Sequence, residues 1–226
     1  MEPCIFCRSA GVYFLLVAFL AIPANASNPP DAQALLKRVE SAYESVTDYG
    51  VRVHVLLATE DGAKRTEEFL YTFKKPGKIR IDFHVPQPGT ILIFPDDEGK
   101  VWVRPWGWRF LDLHLPPDSM FLRNPSGQRI DQTDFGLLIR NMGRSMEEGR
   151  RGPLEILEED RWVRIRVLAE NHFRDGKVTR YEFVIDRNTF LPAEIEERTP
   201  GGIFERRITF RNLVINTGVS DSFFQP

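Results

Sequence analysis

Cysteine is all but absent from this sequence, and its two copies, Cys4 and Cys7, both precede an apolar run from Ala10 to Ile22. Once that run is removed with the residues ahead of it, the chain can form no disulfide, thiolate metal site or cysteine nucleophile. No second apolar run of membrane length follows, and the first is shorter than the roughly 20 residues a spanning helix needs. An excess of positive charge is missing too: 30 basic residues face 32 acidic ones, for a net charge of -2. That balance gives no pull toward nucleic-acid phosphates or anionic headgroups, so no nucleic-acid partner is expected.

Catalytic signatures are equally scarce. The nucleophile elbow G-x-S-x-G, the zinc motif H-E-x-x-H and the phosphate loop G-x-x-x-x-G-K-[ST] do not occur. Asp134-Phe135-Gly136 matches a kinase tripeptide, but no glycine-rich loop or His-Arg-Asp segment accompanies it. His54, His84, His114 and His172 are widely scattered and read as solvated strand residues rather than ligands. Glu155, Glu158, Glu159 and Asp160 read as a solvated hairpin tip, not an acid–base pair. No catalytic residue, metal site or cofactor is expected, and the protein is not expected to be an enzyme. Its function should lie in binding.

What is present begins at the N-terminus. Arg8 precedes the apolar run, and Pro23-Ala24-Asn25-Ala26 supplies small residues in an A-x-A arrangement. This pattern predicts a cleavable secretory signal over residues 1–26 and a mature domain over residues 27–226, placed in the periplasm. The signal carries one acid, Glu2, and one base, Arg8, so its loss leaves the net charge unchanged. Without disulfides the mature chain must rely on its core, and about 200 residues suffice for one domain.

The mature region opens with a helix from about Asp31 to Val46, whose Leu35, Val39, Ala42, Tyr43 and Val46 share a stripe. From Tyr49 the period changes to two: Val51, Val53, Val55 and Leu57 alternate with Arg52, His54 and Leu56. Further strands are expected at about 66–74, 79–83, 89–94, 101–104 and 108–113, with turns at Asp61-Gly62, Pro76-Gly77 and Asp96 to Gly99. Leu115 to Asp131, rich in Pro, Asn, Gly and Ser, reads as a long surface excursion. A second helix follows, with Phe135, Leu138, Ile139, Met142 and Met146 on one stripe. Strands then return at about 154–157, 162–169, 178–185, 193–198 and 204–215. The expected fold is mainly β with capping helices (α+β). It is a single strongly curved antiparallel sheet, covered by two or three helices, because so many serial strands must curl to protect their edges.

A curved sheet has a concave face that must be covered. If the two helices fit tightly, their stripes are ordinary core; if loosely, they form a lid over a cavity able to take an acyl chain. Met142 and Met146 suit varied apolar contacts. Trp106, Trp108 and Phe110, on a hairpin broken by Pro105 and Gly107, read either as packed strand aromatics or as a rim touching lipid or a partner.

The stretch Tyr71-Thr72-Phe73-Lys74-Lys75-Pro76-Gly77-Lys78-Ile79-Arg80-Ile81, then Pro88 and Thr90-Ile91-Leu92-Ile93, resembles the periplasmic outer-membrane lipoprotein carriers, the LolA-like family. Gly99-Lys100-Val101-Trp102-Val103 and the ending Phe210 to Asn216 with Asp221-Ser222-Phe223-Phe224 extend the resemblance over nearly all of the mature chain. It implies an unclosed β-barrel capped by helices, whose cavity binds the lipid moiety of lipoproteins. Ile79 matches an apolar cavity position, and Ile81, Phe83, Ile91, Ile93, Trp102, Phe135, Leu138, Ile139 and Met142 complete the expected lipid-binding set. Lys75 stands where the family has an arginine that latches the lid through backbone carbonyls; lysine lacks the planar fork of guanidinium. The family's tail beyond the Phe-Phe pair has no counterpart before Pro226. The implied partners are a lipoprotein or other acyl-chain ligand, an inner-membrane donor complex and an outer-membrane acceptor, with the carrier monomeric and free of cofactors. The alternative is a non-transporting sensor or protein-interaction module of the cell envelope on the same scaffold.

Overall fold

A computed structural model describes residues 32–59, 61–122 and 129–226; the signal predicted at residues 1–26 lies outside them. Helix α1 spans Ala32–Glu44 and buries Leu35, Leu36 and Val39. Six strands follow: β1 Asp48–Ala58, β2 Lys64–Lys74, β3 Lys78–Val85, β4 Ile91–Phe94, β5 Val101–Arg104 and β6 Leu113–Leu115. Helix α2 covers Phe135–Met146, with the Asp134 side chain accepting from the Leu137 amide as its N-cap. Five more strands complete the chain: β7 Arg150–Glu158, β8 Trp162–Glu170, β9 Val178–Asp186, β10 Pro192–Arg198 and β11 Phe204–Ile215.

All strands join one antiparallel sheet of 11 strands in the order β6-β5-β4-β3-β2-β1-β11-β10-β9-β8-β7. It is two meanders fused where β1 meets β11, with Tyr49 opposite Ile215 and Val53 opposite Phe210. Edge strands β6 and β7 end the sheet without pairing to each other. This is the unclosed, helix-covered sheet expected from the sequence. The serial-hairpin reading holds within each meander, while the β1–β11 pairing joins strands from opposite ends of the chain.

Period-two alternation sorts the two faces. Val51, Val53 and Val55 turn inward and are buried, as are Val163, Ile165 and Val167 on β8. Charged residues in the opposite phase pair across strands, including Arg52 with Glu68 and both Arg164 and Arg166 with Glu182. Such exposed pairs contribute little stability but keep the outer face soluble. α2 lies against α1, β7 and β8. Part of the outer face is covered by the chain's end: Phe224 packs with Ile93 and Trp102, while Asp221 accepts from both Lys74 and Lys78.

Two expected elements shift. The last strand of the first meander lies at Leu113–Leu115 rather than at 108–113. Pro105 and Gly107 instead set a tight turn with Trp106 in the left-handed region at φ 50°. Helix α1 stops at Glu44, where Val46 already donates to the Tyr43 carbonyl in the turn to β1.

Candidate ligand-binding cavity

Between the sheet and α2 lies a cavity of about 860 Å³. One wall is the inner face of the first meander, with Val51, Val53 and Val55 of β1, Phe69 and Tyr71 of β2, Ile81 and Phe83 of β3, Leu92 of β4 and Val103 of β5. The second meander supplies Phe183, Ile195, Ile208 and Phe210. Phe135, Leu138 and Asn141 project from α2 at spacings of three, one helical face turned to the cavity. Trp106 and Phe121 line the cavity while remaining 50% and 82% exposed, so the space opens to solvent between them. Trp106, Trp108 and Phe110 follow one another at this mouth, the two tryptophans tilted with centroids 5.1 Å apart and Trp108 stacked on Phe110 at 5.6 Å.

Four residues of the expected lipid-binding set line this space: Ile81, Phe83, Phe135 and Leu138. Ile79, Ile139 and Met142 belong instead to the packed core beside it, each no more than 3% exposed. Ile91, Ile93 and Trp102 sit on the outer face with Phe224. The reason is alternation. β4 is apolar on both faces, so its sequence does not reveal which phase points inward, and Leu92 and Val103 take the inner positions.

Lys75 does bond backbone carbonyls. Its Nζ donates to Tyr43 O at 2.9 Å, which also accepts from the Val46 amide, and to Glu44 O at 3.0 Å, both carbonyls in the last turn of α1. It also sits 4.6 Å from the Tyr43 ring centroid. Lys75 therefore holds α1, and the Tyr43 ring beneath its ammonium abuts Gly136 of α2. Burial, and then the nearby Asp134 carboxylate, push the Tyr43 hydroxyl up to about 12.

The cavity has a polar patch that the sequence reading passed over. Glu197 and Arg206 face each other across β10 and β11, form an ion pair, and both line the cavity. The signal was available: Glu197 is in phase with inward Ile195, and Arg206 with inward Ile208 and Phe210. His172, read from the sequence as a solvated strand residue, lies between β8 and β9 and lines the cavity. Its ring stacks on Tyr181 at 5.0 Å, and Nε2 meets Ser145 Oγ at 2.8 Å. Burial foremost, then the Arg144 charge, lowers its pKa to about 4, so the imidazole is neutral near pH 7.

A Ser–His contact invites comparison with a nucleophile and its base. Ser145 is fully buried and does not line the cavity, so a ligand there does not reach its Oγ. An imidazole with so low a pKa is also a weak base. Among the described residues no group of three His, Cys, Asp or Glu is placed to hold a metal.

No protein-family model and no curated protein matches the chain. Solved structures similar in fold include an uncharacterized conserved protein from Thermus thermophilus, at 13% identity, 86% of this chain, 93% of that one and a TM-score of 0.48. A LolA superfamily protein from Nitrosomonas europaea shows 10% identity over 86% of this chain and 97% of its own, with a TM-score of 0.39. A chain of the Pseudomonas aeruginosa MucA/MucB complex shows 19% identity over 87% and 61% of the two chains, with a TM-score of 0.45. Likenesses at this level concern overall architecture alone, and the functional reading rests on the cavity.

Proposed function

We propose that this protein is a periplasmic binding or carrier protein that takes the acyl chains of a lipoprotein or another lipid into the space beneath α2. The observation that carries the reading is the cavity of about 860 Å³, continuous between the two meanders and walled mainly by Val, Leu, Ile and Phe. A space of that size falls in the range of ligand sites, roughly 300–1,000 Å³. A domain of this length without disulfides would gain more stability by packing such a space shut. The A-x-A site at Ala24–Ala26 supports export, and the half-exposed Trp106 at the mouth supports loading from an amphipathic environment. The carrier uses the space for binding, with no chemistry performed on the ligand.

The test is native mass spectrometry of the protein recovered from the envelope of its own host. The expected outcome is a chain beginning near Ser27 with acyl-chain species bound one to one. Recovery without lipid, together with failure of purified lipids or acylated peptides to bind, would overturn the carrier reading. The exposed stack of Trp108 and Phe110 supports a second reading, an envelope interaction module on the same scaffold. In that case protein, and no lipid, is retained on mild extraction.

A further inference from the structure

We infer that the ligand is an acyl chain bearing an uncharged polar group, an ester, amide or hydroxyl, seated on the polar patch formed by Asn141, His172, Glu197 and Arg206. This rests on the reading of the cavity as an acyl-chain site and adds which head the chain carries and where it lies.

These residues form one continuous patch. Tyr181 stands opposite Glu197 across β9 and β10, and Glu197 opposite Arg206 across β10 and β11. The His172 ring stacks on Tyr181, and its Nε2 reaches Ser145, one turn beyond Asn141 on α2. The patch therefore runs from the sheet floor to the helical roof of a space walled mainly by aliphatic and aromatic residues.

Asn141 points to a ligand most directly. It is only 6% exposed, it lines the cavity, and its side-chain amide has no hydrogen-bond partner among the described residues. Buried amides are ordinarily paired, because leaving one unpaired forfeits the hydrogen bonds it made to water. A roof of pure acyl-chain contact calls for leucine here, as at Leu138 one turn earlier. An amide offers both a donor and an acceptor, which suits a carbonyl or hydroxyl.

Charge selects the class of head. Glu197 and Arg206 neutralise each other, Arg65 and Glu67, which line the cavity two strands away from Arg206, do the same, Asn141 is uncharged, and burial keeps His172 neutral. The patch thus carries no net positive charge to balance a carboxylate or phosphate. A buried anion would meet the Glu197 carboxylate while the Arg206 guanidinium is already engaged by it, and charges are buried only when paired. An uncharged dipole pays neither cost.

The exported protein, delipidated and loaded with the neutral apolar dye N-phenyl-1-naphthylamine, is titrated at pH 7.5 with monopalmitoylglycerol, palmitamide and palmitate below their aggregation limits. Monopalmitoylglycerol and palmitamide should each displace dye with affinity about tenfold above palmitate, the factor expected from one net hydrogen bond of about 1.4 kcal/mol. In Asn141→Leu, checked for folding by its thermal transition, that ratio should fall below about threefold. Equal binding of all three by the wild type overturns the assignment of the head while leaving the acyl-chain site intact, and needs no variant. An unchanged ratio in folded Asn141→Leu also overturns it. Preference for palmitate alone does the same, and failure of every palmitoyl compound to displace dye overturns the acyl-chain reading itself.

Discussion

Gly136 at the start of α2 lies against Tyr43 of α1 so closely that a methyl group there would stand 2.8 Å from Tyr43 Cε1. The same methyl would meet Asp134 Oδ1, the helix's N-cap acceptor, at 2.8 Å. Glycine to alanine in an open helix stabilises by about 1 kcal/mol. Here the sign should reverse, because the Tyr43 ring is also held by the Lys75 ammonium, 4.6 Å from its centroid. Gly136→Ala is expected to lose about 1–3 kcal/mol by overpacking. Thermal or urea unfolding measures it, and a variant as stable as the wild type would show that the two helices give way freely.

Ile79 and Ile81 occupy the same face of β3 and both belong to the buried core, but Ile81 also borders the cavity and Ile79 does not. Ile79→Glu should abolish the folded state, since an unpaired carboxylate in a dry core costs several kcal/mol. Ile81→Glu should fold, with its carboxylate reaching the open space, and bind apolar dye at least tenfold more weakly (about 1.4 kcal/mol). Circular dichroism and dye titration of the pair check the boundary between core and cavity. Equal unfolding of both would place that boundary elsewhere.

Removing the ammonium of Lys75 should loosen α1. Lys75→Met keeps the aliphatic stem but takes the ammonium from the Glu44 carbonyl and leaves the Tyr43 carbonyl with the Val46 amide. Loss of those charged hydrogen bonds at a helix C-terminus should cost about 1–2 kcal/mol. Amide exchange should rise first in the last turn of α1. If α2 alone loosened, Lys75 would be acting on the roof rather than on α1.

The low pKa of His172 fixes the direction of a pH dependence. Unfolded histidine takes its proton near pH 6.5, whereas folded His172 resists until about 4. Between those values the unfolded state binds more protons, so this group's contribution to stability is lost as pH falls from 6.5 toward 4. His172→Gln should flatten the slope of unfolding free energy between pH 6.5 and about 5, above the range where carboxylates titrate. Equal slopes in the two proteins would mean that His172 protonates freely in the folded state.

Local order was the legible part of this chain. The α2 span is marked by Asp134 as N-cap and by an apolar stripe at helical spacing, and the inner face of β1 by four alternating aliphatic residues. Three things were not legible. β4 reads apolar on both faces, so Ile91 and Ile93 could not be told from Leu92 as cavity residues. Glu197 and Arg206 resemble their outward neighbours Glu196 and Arg207 in composition and differ only in phase. Gly136 and Gly143 of α2 leave room for the side chains of Tyr43 and Leu36 of α1. That use depends on tertiary approach, which local sequence does not encode.

The seam between β1 and β11 has a consequence for how the protein comes into being. A chain made from its N-terminus presents β1 long before its partner exists, since Tyr49 waits for Ile215. Until then the first meander is a half-shell, its aliphatic lining wet and the backbone groups along β1 free to pair with any passing strand. Late closure of so distant a pair is slow. The vulnerable species is therefore the nearly complete chain, and a cut ahead of β11 would leave a molecule whose most reactive feature is a bare strand seeking a substitute.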